Sequence, residues 1–179
     1  MTTDLLDLYR QASEWSLTKV IGASARLDAP TPCDEWTVRR LMDHMLDTQR
    51  YFVRTAKGEK AELPSPKPPA LVGEDPETAF RRARTETLKA FGADGVVERT
   101  GPALGIAFSD QLLHGWDLAR ATGQDTTMPE GLAEAAYEMI HGRFTDEQRT
   151  GVFAPEVAIE PGASAQDRLL AYTGRRPMA

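Results

Sequence analysis

Cysteine is almost missing from this sequence: Cys33 is the single one among 179 residues. One thiol excludes an internal disulfide framework, a Cys-rich zinc ribbon and an iron–sulfur site held within one chain. Basic residues are outnumbered, 21 Lys and Arg against 27 Asp and Glu, for a formal charge of -6. Lysines are few and the arginines lie scattered among acids, which argues against a surface for nucleic acid or anionic lipid. No apolar run approaches the ~20 residues of a membrane helix. The start, MTTDLLDLYRQASEW, has acids where a signal peptide needs a basic opening and an unbroken apolar run. Also missing are G-x-x-x-x-G-K, G-x-G-x-x-G, G-x-S-x-G and H-E-x-x-H, which leaves nucleotide binding, serine hydrolysis and zincin proteolysis without support. The expectation is a soluble cytoplasmic protein, with neither nucleic acid nor membrane as partner.

What is present fits one globular domain: 41% hydrophobic and 27% charged residues over residues 1–179. Apolar residues at three-to-four spacing predict a helix from Asp4 to about Leu27, before Pro30 and Pro32. Thr37 is the expected N-cap of a second helix running to about Lys57 and stopped by Gly58. Residues 58–75 hold Gly58, Pro64, Pro66, Pro68 and Pro69 without periodicity. They read as a long loop, either a lid or a crossover. Pro76 to Phe91 predicts a third helix with Asp75 as N-cap. After an irregular or strand-like GVVERTGP, a fourth runs from about Ala103 to Ala121 and ends at Gly123. A fifth spans Pro129 to Gly142, with His141 placed to satisfy its last carbonyls. Thr145 to Pro161 reads as irregular, with GVFAPEVAI extended. Ser164 to Tyr172 is a last short helix with a Ser164–Asp167 capping box. The fold class is all-α: a four-helix bundle over about 4–123 with a short irregular or helical C-terminal extension over about 124–179.

The fourth helix contains SDQLLHGWDLA, Ser109 to Ala119. At about 100° per residue, Asp110, His114 and Asp117 share a sector roughly 60° wide. Leu104, Phe108, Leu112, Leu113, Trp116 and Leu118 fill the rest, the pattern of a buried helix. Buried carboxylates need compensation, and a divalent cation supplies it. Asp110 and His114, at i and i+4, can point at a common centre. A third ligand must come from another helix, and His44, within LMDHML of the second helix, is the candidate. The plain alternatives stay open: His44 as a hydrogen-bonded core residue, Asp110–His114 as an exposed helix pair, and Asp117 paired with Arg120 or capping a loop. Cys33 has no resolving partner. On a straight helix it would sit about three turns from His44, too far to share an ion, so its role reads as structural. Trp36 and Trp116 read as core or pocket walls.

Three stretches carry a resemblance. TPCDEWTVRRLMDHML (Thr31 to Leu46), DQLLHGWDLARATGQD (Asp110 to Asp125) and the tail GVFAPEVAIEPGASAQDRLLAYTGRRP together resemble the mycothiol-dependent maleylpyruvate isomerase N-terminal family of the DinB-like superfamily. The tail is similar to that of a subfamily of small actinobacterial metal-binding proteins. The resemblance implies a DinB-like bundle with His44, Asp110 and His114 as metal ligands. Asp117 is implied in a supporting or pocket role, beside Trp116 and Trp36, which the residues themselves place in the core or the pocket wall. Asp110 stands where the isomerases carry a glutamate, and the chain is too short to hold their C-terminal α/β domain whole. A three-ligand site leaves metal positions open, the arrangement of catalytic zinc. The implied function is a thiol-dependent transferase or isomerase acting on a small-molecule substrate. It would use zinc, or nickel or iron in its place, and a low-molecular-weight, mycothiol-like thiol as co-substrate. The alternatives are a non-catalytic small-ligand or metal-sensing module, or a metal-assisted hydrolase. Pairing of two copies through an exposed helix face is the expected homodimer.

Overall fold

The computed structural model describes residues 4–33, 35–150 and 152–177. The described residues form seven helices and no strand, within two compact units, Met1–Thr127 and Met128–Ala179. The first unit is a four-helix bundle of α1 (Leu5–Ala23), α2 (Val38–Ala56), α3 (Pro76–Phe91) and α4 (Val96–Thr122). In it α1 and α2 each pack against both α3 and α4. The second unit holds α5 (Leu132–Ile140), α6 (Asp146–Thr150) and α7 (Ala165–Tyr172), with α5 against α7. No described helix is long and apolar enough to cross a membrane.

Local capping sets most boundaries. Asp4 accepts from Leu6 N at 2.9 Å, Thr37 from Arg40 N at 3.3 Å, and Asp75 from Thr78 N at 3.1 Å ahead of Pro76. Each removes an orphan donor of a first turn. Gly123, at φ 72°, ends α4 in the left-handed conformation that suits glycine. Other expected boundaries move. The first helix ends at Ala23 rather than near Leu27. Residues 27 and 29 instead accept backbone bonds from Arg39 N (2.8 Å) and Val38 N (2.9 Å), which ties the chain before Pro30 to the start of α2.

The larger correction concerns GVVERTGP. It is helical, and α4 begins at Val96 with Pro102 in its interior. Pro102 has no N–H to reach the carbonyl of Glu98, a defect worth about 3 kcal/mol in an isolated helix. Burial of Val96 and of Leu104 beyond the proline holds the segment against that local penalty. Farther along, Gly115 lets α1 lie close: a Cβ there would sit 2.7 Å from Trp15 Cζ3 and 3.3 Å from Ser16 Cα.

The bundle core joins Leu17, Val20, Leu41, Met42, Met45 and Leu118, among others, to Val72 and Phe80. Val72 belongs to the proline-rich loop, and the loop is strapped down. Asp43 Oδ1, on α2, accepts Leu71 N at 2.7 Å and Val72 N at 2.8 Å, while Asp47 Oδ2 accepts Ser65 N at 3.1 Å. The loop therefore crosses from α2 to α3 fixed along α2.

In the second unit, α7 has the expected Ser164 cap, which accepts Asp167 N at 3.1 Å. The fifth helix is shorter than expected at both ends, between left-handed Gly131 and extended His141. It is the backbone N–H of His141, not its ring, that reaches a carbonyl, Tyr137 O at 2.8 Å, while the ring stacks on Tyr137. Helix α6 lies in the stretch read as irregular. Thr145 and Gln148 cap it reciprocally at 2.9 and 3.3 Å, a T-x-x-Q box visible in the sequence. Residues 154–160 form no strand, although Val157 N donates to Ala171 O at 3.0 Å.

Candidate metal centre

Helix α2 presents His44 and α4 presents Asp110 and His114, so two neighbouring helices of the bundle bring three donors together. Their ligand atoms all lie within 4.8 Å of one another. His114 Nε2 is 3.4 Å and His44 Nε2 3.9 Å from the same oxygen, Asp110 Oδ1. The second separation is too long for a hydrogen bond. Donors bound tetrahedrally to one ion at zinc-like bond lengths sit about 3.3–3.4 Å apart, close to this spacing. The two imidazoles meet edge to face with centroids 5.0 Å apart. His44 Nδ1 is buried without a hydrogen-bond partner, and its Nε2 is only 3.5 Å from Thr48 Oγ1. Two imidazoles and a carboxylate whose donor atoms converge at this spacing fit a divalent cation.

Asp117 is fully buried, and its Oδ2 lies 2.9 Å from His114 Nδ1. A carboxylate on one ring nitrogen fixes the tautomer and aims the other nitrogen, here Nε2, at the donor cluster. The two histidines are pushed in opposite directions. Burial, with repulsion from His114, lowers the His44 pKa to about 4. For His114 burial also acts downward, but the charge of Asp110 and hydrogen bonds to Asp110, Asp117 and Cys33 raise it well above the usual histidine range. Without an ion, the two carboxylates favour the charged form of His114, and burial favours the neutral form of His44. Behind the cluster Tyr9 is completely buried and its hydroxyl donates to Gln49 Oε1 at 3.3 Å.

Trp36 lies against His44, ring centroids 4.8 Å apart, and forms one wall. Trp116 sits two residues beyond His114, about 200° round the helix, and is buried at 2% exposure in the bundle.

Cys33, read from the sequence as structural, is on the loop before α2, and its Sγ lies 3.4 Å from Asp117 Oδ2. Cys33, His114 and Asp117 form a second group within the same 4.8 Å limit. A tight turn brings the thiol there. Thr31 N donates to Trp36 O at 3.1 Å, Trp36 N to Cys33 O at 3.1 Å, and the Thr31 hydroxyl accepts Cys33 N at 3.1 Å. Glu35 takes a left-handed φ of 68° within this turn, which costs a non-glycine residue about 1–2 kcal/mol. Pro30, Pro32 and the Thr37 cap already put Cys33 between helices in the sequence, but no local signal shows which side chain that loop will meet.

The family model described as the mycothiol maleylpyruvate isomerase N-terminal domain matches residues 10–128, a range that contains every residue of the cluster. Two uncharacterized proteins of Mycobacterium tuberculosis, one from strain CDC 1551 / Oshkosh and one from strain ATCC 25618 / H37Rv, are each 30% identical over 164 residues. Each alignment covers 84% of this chain and 85% of the relative. No solved structure matches the chain significantly.

Proposed function

The chain belongs to the mycothiol maleylpyruvate isomerase N-terminal domain family, and from that premise we propose that it holds a divalent metal on His44, Asp110 and His114 for thiol-dependent transfer or isomerisation of a small electrophile. The observation that carries this reading is the convergence of two histidine Nε2 atoms on Asp110 Oδ1. Among the described residues that group contains three donors, the number that leaves coordination positions for an exogenous molecule. Zinc suits two imidazoles and a carboxylate, and nickel and iron accept the same set. When bound, such an ion supplies Lewis acidity that deprotonates a coordinated thiol at neutral pH.

The chain's own residues do the rest. Asp117 keeps the proton of His114 on Nδ1, so that Nε2 can act as a ligand. His44, already neutral at physiological pH because burial disfavours its charged form, needs no deprotonation. Trp36 covers one side of His44 and limits water on that side. The reading is tested with zinc-loaded protein, a small thiol and a chromogenic electrophile. Conjugation that requires both metal and thiol is expected. Thiol binding without turnover would instead indicate a binding module, and turnover without thiol a hydrolase.

Ion uptake displaces the proton that Asp110 and Asp117 favour on His114. While His114 is protonated in the free protein, each added pH unit is expected to tighten zinc binding about tenfold, levelling off once pH passes its raised pKa. His44 titrates near 4 and adds no slope at neutral pH. Competition with a chromophoric chelator across pH 6 to 9 measures this, and a flat profile would contradict it.

A further inference from the structure

Cys33 reaches the centre from the other side of His114, and the metal reading has not used it. We propose that Cys33 is a positioning residue: its thiol braces the Asp117 carboxylate, and through Asp117 it sets the direction in which the His114 ring presents Nε2 to the ion. The inference rests on the metal reading of His44, Asp110 and His114.

The geometry is a chain of two contacts on one oxygen. Asp117 Oδ2 is 3.4 Å from Cys33 Sγ and 2.9 Å from His114 Nδ1. Asp117 has no solvent exposure, so water cannot take over the contact when a partner is lost. The turn that delivers Cys33 has a built shape. Pro30 and Thr37 form an isolated antiparallel bridge, the Thr31 hydroxyl lies 2.9 Å from Trp36 O, and Glu35 adopts its left-handed conformation. That same turn places Trp36 on His44. One loop thus touches both histidines, His44 through a ring contact and His114 both through Asp117 and by the thiol's own contact with the ring.

The chemistry of sulfur fits this role. An S–H group is a weak donor, so it can fix the carboxylate's rotation while leaving Oδ2 a strong acceptor for His114 Nδ1–H. A serine hydroxyl would bond more closely and compete with the imidazole for the same oxygen. The groups facing this carboxylate oxygen are therefore ranked, with the imidazole first and the thiol second.

The test is a double-mutant cycle read by cobalt binding, which reports affinity and, through its absorption spectrum, ligand geometry. Cys33→Ala is expected to weaken cobalt binding about three- to tenfold and to alter the spectrum, a smaller effect than the 10–100-fold typical of a direct partner of a ligating histidine. Cys33→Ser, which keeps a donor, is expected to lie between Cys33→Ala and the parent protein. In an Asp117→Ala background, Cys33→Ala is expected to add little, because the brace has lost the group it acts on. Equal losses in both backgrounds would show that Cys33 acts on the His114 ring without Asp117 or merely packs, and an unchanged affinity with only a lower melting temperature would show packing alone; either result would overturn the proposal. Failure of the parent protein itself to bind cobalt would remove the metal reading and this inference together, and is distinguished by being seen before any substitution is made.

Discussion

His114→Ala is expected to take the protein from about one bound divalent ion per chain to essentially none, because two remaining ligands are too few for a stable site. His114 is the most consequential of the three ligands. It shares Asp110 Oδ1 with His44 and is the link between Asp110 and the fully buried Asp117. Removing the imidazole deletes a ligand and also the ring that lies between two carboxylates. Elemental analysis of parent and mutant, purified side by side and dialysed against zinc, measures the effect. A mutant that retains stoichiometric metal would place the ion elsewhere. A parent protein that takes up no metal would leave a buried polar cluster held by hydrogen bonds, and the enzymatic reading would go with it.

Asp43→Ala is expected to cost roughly 3–5 kcal/mol of stability, although Asp43 is not a ligand. Its carboxylate is 4% exposed and holds two backbone N–H groups of the proline-rich loop at 2.7 and 2.8 Å. Hydrogen bonds to a charged group contribute about 1.5–3 kcal/mol each, and the loss leaves buried donors unsatisfied. Val72, one of the two donors, is itself in the core at 2% exposure, so loosening the loop also exposes apolar surface. For a chain of this length the change corresponds to a fall in melting temperature of about 10 °C or somewhat more. Asp43→Asn, which keeps a carbonyl acceptor without the charge, is expected to recover part of it. Thermal unfolding, with hydrogen exchange at Leu71 and Val72, tests the strap, and a melt within a degree or two of the parent would show that it carries no weight. Asp43 escaped the sequence reading for a simple reason: a lone acid on a helix gives no sign of which loop will come to it.

Much of the helical framework is legible in the residues because helix ends obey rules that act within about four positions. Thr37, the Asp75–Pro76 pair, Gly123 and Ser164 mark their boundaries by capping chemistry alone. The Thr145–Gln148 box would have given α6 by the same logic. Asp110, His114 and Asp117 fall on one face for a similarly local reason, the helical repeat. The start of α4 was not legible. Pro102 and Gly101 are strong local signals against a helix, and burial of Val96 and Leu104 outweighs them.

By itself, then, the sequence determined the all-α class, most helix limits, the acid–imidazole strip on α4 and the two histidines able to face each other across the bundle. The tertiary structure decided what meets what. It set His44 within 4 Å of Asp110, laid the proline-rich loop on Asp43, and bent the chain at Pro30 and Pro32 so that Cys33 reached Asp117. These are contacts between residues 28 to 84 positions apart. No short-range rule specifies them, because they form only when packing of the apolar helix faces against one another brings distant segments together.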